Sequence, residues 1–199
     1  MTKTIGILVF DDAEELDFVG PWEVFTMAKA VDPEAHKVLL IAEEDRPIRC
    51  AKGMRVLPDV TTAQCPKLDV LLVPGGQGTR REVNNPSLLA WIAKTAAGCE
   101  WVTSVCTGAM LLTAAGPARG RRVTTHWGFV KTLRERGEAA TVLENTRYVR
   151  DGNIVTAAGV SAGIDMALWL TGQMHSPEFA RKVQRGMEYD PAPPYAAEV

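Results

Sequence analysis

The sequence has little excess of charge of either sign: 22 Lys and Arg stand against 24 Asp and Glu, a net −2, with no long block of one kind. That balance argues against nucleic acid or an anionic membrane as the main partner. No apolar run reaches the ~20 residues that span a bilayer. Met1-Thr2-Lys3-Thr4 leads straight into a strand-like segment rather than a signal peptide, so a cytoplasmic protein is expected. Cysteine is scarce too. Cys50, Cys65, Cys99 and Cys106 contain no C-x-x-C pair, which argues against a disulfide scaffold or zinc ribbon. Internal repeats, low-complexity tracts and linkers are missing. What remains is an ordinary globular composition, 46% hydrophobic and 23% charged over 199 residues, enough to bury one core without staples.

Short apolar runs alternate with helical stretches along the chain. Thr4–Phe10, His36–Ala42, Asp69–Val73 and Glu100–Val105 read as strands buried on both faces. Between them, Gly20-Pro21 opens a helix to about Ala30, and Pro86–Ala97 forms another, capped by Asn85. Glu43–Thr62 reads as a loop holding one or two short antiparallel strands. Thr107–Ala115 is helical, Arg122–Thr125 a short strand, and Phe129–Arg136 a helix. Asp151-Gly152 marks a hairpin between Asn145–Arg150 and Asn153–Ala157. Helices over Ser161–Met174 and Pro177–Met187 follow, the second capped by Ser176, and then a proline-rich tail, Asp190–Tyr195. This alternation predicts a parallel sheet covered on both faces, with ligands bound outside the carboxyl ends of its strands.

Three strand ends carry unusual residues. Val102-Thr103-Ser104-Val105-Cys106-Thr107-Gly108 passes from strand to helix with almost no loop, the geometry of a nucleophile elbow. The helix N-terminus beyond Cys106 would favour its thiolate and lower its pKa. A buried structural cysteine is the competing explanation, and spacing alone leaves both open. Pro74-Gly75-Gly76-Gln77-Gly78 lets backbone N–H groups approach a ligand, as an oxyanion hole requires, although a plain tight turn explains it equally. It lacks the G-K-[ST] ending of a P-loop. Asp17, between Leu16 and Phe18, is either a partly buried carboxyl group with a raised pKa or a helix cap.

Together these residues resemble the ThiJ/PfpI superfamily. The resemblance rests on Leu16-Asp17-Phe18-Val19-Gly20-Pro21, Val73-Pro74-Gly75-Gly76, the Cys106 elbow, Thr124-Thr125-His126-Trp127 and Ala162-Gly163-Ile164-Asp165. Within the superfamily the nearest similarity is to isocyanide hydratases. The same segments recur in the ligand-binding domain of some AraC-type regulators. The resemblance implies a flavodoxin-like α/β fold, a three-layer sandwich with a mainly parallel sheet. It further implies one ThiJ/PfpI-like (class I glutamine amidotransferase-like) domain over residues 1–199 and a homodimer. It assigns Cys106 as nucleophile, Asp17 as the acid that hydrogen-bonds it and moves protons, and Thr107 with Gly76 as lining for the electrophile. Gly75, Ala158 and Val160 complete the substrate site, Ala158 standing where hydratases carry glycine and so narrowing it. The expected partner is a small-molecule substrate, with no metal and no cofactor.

Rival readings remain. Thr107 occupies the position at which proteases and glyoxalase-like members carry His, which disfavours a Cys-His triad. His126 reads as a structural histidine at a strand end, and His175 as the end of a helix. Glyoxalase or deglycase chemistry, or a sensor in which Cys106 oxidises or a ligand binds without turnover, are the alternatives to hydration of an isonitrile.

Overall fold

The apolar β-branched runs form the strands they predict. The computed structural model describes residues 2–191. β1 (Lys3–Leu8) has Ile5, Ile7 and Leu8 fully buried, and β2 (His36–Ala42) pairs parallel with it. β6 (Val70–Val73) joins the other side of β1, followed by β7 (Trp101–Val105) and β11 (Ile154–Ala157), all parallel. β10 (Tyr148–Asp151) closes that edge antiparallel, through the Gly152-Asn153 turn with Gly152 at φ +63°. With β5 (Val60–Thr61) beyond β2, the sheet runs β10-β11-β7-β6-β1-β2-β5. The chain therefore reverses its direction of winding at β1, between β2 and β6, where open sheets leave a crevice.

Helices cover both faces. α1 (Glu15–Val31), α6 (Ala162–Met174) and α7 (Pro177–Gly186) pack on one another, and α3 (Pro86–Ala96) packs on α4 (Gly108–Ala115). Asn85 accepts a hydrogen bond from Leu88 N and Ser176 from Phe179 N, so both expected caps are present. This is the flavodoxin-like α/β arrangement with a mostly parallel sheet. Among the described residues no helix is long and apolar enough to cross a membrane.

Several elements depart from the sequence reading. α1 opens at Glu15, not at Pro21, which sits buried inside the helix. Proline there removes the N–H that would reach the Asp17 carbonyl, at a cost of about 3 kcal/mol. Burial of Phe18, worth roughly 1.5–3 kcal/mol, offsets much of it and keeps the first turn docked. In Glu43–Thr62, β3 (Ile48–Arg49) and β4 (Arg55–Val56) pair antiparallel as expected, but β5 joins the main sheet parallel to β2. α2 (Thr79–Glu82) and β9 (Thr141–Leu143) are too short to show a period, and neither was expected. β9 pairs with β8 (Arg122–Thr124), and a 3-10 turn, Trp127–Phe129, precedes α5 (Val130–Glu135). From residue 192 on, the proline-rich tail lies outside the described residues.

Candidate active site

Four strand ends and the first turn of α1 converge at the carboxyl edge of the sheet. Cys106 follows β7 directly, and its N–H donates to Ala157 O at 3.1 Å, which ties the elbow to the end of β11. Its φ of +56° is left-handed, a strain of order 1–3 kcal/mol for a residue with a Cβ. Gly108 makes the turn possible, because a Cβ there would lie 2.2 Å from Val73 O. The Cys106 carbonyl accepts from the Thr125 hydroxyl at 2.7 Å. The sulfur is buried, with 8% of the residue exposed.

Asp17 lies in the first turn of α1 and is fully buried. It is no helix cap. Its two carboxylate oxygens accept from different segments: Oδ2 from Gly75 N at 2.9 Å, Oδ1 from Val160 N at 3.1 Å. Val160 adopts φ +45°, unusual for a β-branched residue, and that conformation turns its N–H towards Asp17. Burial pushes the Asp17 carboxyl up to about 7, with Glu14 adding to the rise, while the two N–H groups and the Cys106 thiol pull the other way.

The thiol does not behave as its helix N-terminus predicts. Burial and the charge of Asp17 push Cys106 up to about 12, against hydrogen bonds from the Thr107 amide and hydroxyl that favour thiolate. Two negative charges cannot be held side by side in this enclosure, so near neutrality the pair keeps a proton.

The glycine loop serves differently from an open oxyanion hole. Gly75 N is engaged by Asp17, and Gly76 N donates to Thr107 Oγ1 at 3.0 Å. A Cβ on Gly75 would lie 2.5 Å from Thr107 N and 2.8 Å from Cys106 Cβ, so the loop is pressed directly against the elbow. Two residues missed in the sequence complete this wall. Thr79, fully buried, donates to Gly76 O at 2.8 Å, and Arg80 donates to Gly76 O at 2.9 Å and stacks on Phe129. They follow the glycines in the chain, and that adjacency was the one sequence signal available.

Ala158 and Val160 line a cavity of about 460 Å³ together with Thr125, His126, Trp127 and Gly159. Val160 also holds Asp17, and Thr125 also holds the Cys106 carbonyl, so the cavity shares walls with the Cys106–Asp17 pair. The structure thus brings Cys106, Asp17, Thr107, Gly75, Gly76 and Val160 together, with Ala158 in the neighbouring cavity. His126 accepts from Gly128 N at 3.2 Å, while Trp127 is 83% exposed at the cavity rim. Among the described residues no group of three or more His, Cys, Asp or Glu could hold a metal ion.

Residues 3–173 match the DJ-1/PfpI family. The chain belongs to that family. Its relatives are of more than one kind. It is 38% identical over 195 residues to an isonitrile hydratase of Pseudomonas putida, covering 98% of this chain and 82% of the relative. It is 27% identical to the HTH-type transcriptional regulator CdhR of Pseudomonas aeruginosa, covering 92% of this chain but 54% of the regulator. Among solved structures, a ThiJ/PfpI family protein from Pseudomonas syringae superimposes with a TM-score of 0.89 at 32% identity. That match covers 100% of this chain and 80% of the other.

Proposed function

We propose that this protein hydrates an isonitrile to an N-substituted formamide, R–NC + H2O → R–NH–CHO, with Cys106 as nucleophile. The observation that carries the reading is the Asp17 carboxyl, buried beside Cys106 on two backbone N–H groups with its pKa raised to about 7. A group with that value both takes and gives a proton at neutral pH. The likeness to an isonitrile hydratase supports the choice of electrophile.

In the resting pair the thiol keeps its proton and Asp17 is a carboxylate. As sulfur bonds to the isonitrile carbon, the thiol proton passes to Asp17 and from there to that carbon, leaving a thioimidate, Cys–S–CH=N–R. Water then adds to the same carbon; Asp17 takes a proton from it and delivers that proton to nitrogen. When the C–S bond breaks, the hydroxyl proton of the intermediate returns through Asp17 to the sulfur, and formamide leaves. Thr107 N–H and Oγ–H stabilise negative charge on sulfur whenever the bond to carbon is absent. Gly75 and Gly76 act by holding Asp17 and Thr107, and the cavity past Ala158 and Val160 receives the substituent R. The resemblance also assigns a cytoplasmic homodimer without cofactor.

A peroxide sensor is less favoured, because oxidation needs a resting thiolate and burial opposes one here. The test is incubation with cyclohexyl or aryl isocyanide while formamide is followed. Turnover is expected in the wild type and lost in Cys106→Ala. Absence of formamide across several isocyanides, with Cys106 still open to alkylation, overturns the reading in favour of aldehyde chemistry.

A further inference from the structure

Thr107 follows Cys106 at the start of α4, yet its hydroxyl does not cap that helix. Its oxygen lies 3.0 Å from Gly76 N, 3.3 Å from Arg80 Nη1, 3.1 Å from Thr79 Oγ1 and 3.2 Å from Gly76 O. A hydroxyl has one hydrogen and two acceptor positions, so these contacts compete and can be assigned by counting. Gly76 O has two acceptor positions. The closest donors fill them, Thr79 Oγ1 at 2.8 Å and Arg80 Nη1 at 2.9 Å, which turns the Thr107 hydrogen away from that carbonyl. One acceptor position of Thr107 Oγ1 is taken by Gly76 N–H, and the other faces Arg80 Nη1, whose two hydrogens serve Gly76 O, Thr79 Oγ1 and Thr107 Oγ1, one of them shared between the two hydroxyls. The Thr107 hydrogen is left with Thr79 Oγ1, already accepting from Arg80 at 3.0 Å, and the Cys106 sulfur. Once that sulfur carries charge it is the stronger acceptor.

We infer that Arg80 is a positioning residue for the nucleophile: with Gly76 N–H it fixes the Thr107 hydroxyl so that its hydrogen points to Cys106 Sγ as the thiolate forms. The Arg80 guanidinium is held for this by its stack on Phe129, 4.6 Å from the ring centroid, on the segment that also carries His126 and Trp127. Arg80 is otherwise an exposed side chain on a four-residue helix, and its stack covers the buried Phe129 ring, which a methionine can cover as well. The Thr107 hydroxyl is among the groups that favour the thiolate against burial. The inference rests on Cys106 being the nucleophile for its effect on turnover, but its test reads the sulfur and not the formamide.

The experiment is alkylation of Cys106 by iodoacetamide as a function of pH, resolved from Cys50, Cys65 and Cys99 by peptide mass spectrometry. Arg80→Met is expected to move the Cys106 profile up by about one pH unit, a roughly tenfold slower reaction at fixed pH below the midpoint. The Cys65 rate and the melting temperature should not change. Thr107→Val should shift the profile at least as far, and Arg80→Met added to it should shift it no further, because both act through one hydrogen bond. Arg80→Lys keeps the charge without the stacked planar fork and should remain shifted. An unchanged profile in Arg80→Met overturns the inference. So does additivity in the double variant, or full restoration by Lys, since each would show the charge acting on sulfur directly. Loss of formamide with these shifts intact would instead discredit only the proposed reaction.

Discussion

Asp17 and His36 are both buried titratable groups at opposite ends of the same sheet, and their surroundings could hardly differ more. Asp17, at the carboxyl edge, receives two backbone N–H groups and faces a cysteine. His36 opens β2 at the amino edge, where Phe25 packs edge-on and His175 meets it at 4.9 Å, itself stacked on Phe179. Neither ring nitrogen of His36 has a partner among the described residues. Burial, reinforced by His175 and Lys29 and opposed by Asp32, drives the imidazole down to about 4. Desolvation moves both groups towards neutrality. Only Asp17 has partners arranged for its charged form as well, so only Asp17 is equipped to alternate between the two states.

The largest effect that can break this comparison is on turnover. Asp17→Asn should lower kcat by roughly 10²–10⁴, and wild-type activity should rise with pH through about 7 as the carboxyl loses its proton. A flat profile between pH 5 and 8 in formamide assays would show that Asp17 does not exchange protons during the reaction.

The next effect is on stability, and the two groups work in opposite directions over one pH range. Asp17 has a folded value above its unfolded one, so its stabilising contribution is complete below about 4 and is lost as pH rises to about 7. His36 has a folded value below its unfolded one, so its contribution is lost as pH falls from about 6.5 to 4. Each is worth up to about 3–4 kcal/mol at the extremes, and in the wild type they largely offset each other. His36→Leu should therefore gain most on the wild type at pH 4, and Asp17→Asn at pH 7, in urea titrations across that interval. Parallel curves for all three proteins would remove the basis of the contrast.

The smallest effect sharpens it. Ser176→Ala, beside the His175–Phe179 stack, should cost about 1 kcal/mol by loss of the α7 cap. That loss should be somewhat larger at pH 7 than at pH 4, because the Ser176 hydroxyl also helps hold the Glu178 carboxyl below its usual range. A loss that instead grows as pH falls, in the same urea titrations, would tie the cap to the histidines.

These two ends were not equally legible in the sequence. The sheet was, because strands buried on both faces leave uninterrupted apolar runs such as Val70–Val73, and the elbow at Cys106 was, because strand and helix meet without a loop. Pro21 misled, since a proline inside a helix and one opening it look alike until the burial of Phe18 is known. The acid strength of Cys106 was not legible: it is set by enclosure and by a carboxylate remote in the chain, and the neighbouring helix terminus loses to both. Thr79 and Arg80 were hidden because α2 is too short for a period, and the histidine pair because His36 and His175 meet only in three dimensions.

The bond from Val160 N to Asp17 joins residues 143 positions apart and bridges the end of β11 to the first turn of α1. Contacts of such long range carry the largest loop-closure cost and tend to form late, after local helices and neighbouring strands are in place. A refolding chain can thus regain most of its helix signal while Asp17 still lacks one of its two amides. Recovery of the Cys106–Asp17 pair, followed by the return of the native alkylation rate, then times the docking of the C-terminal third of the chain onto its beginning.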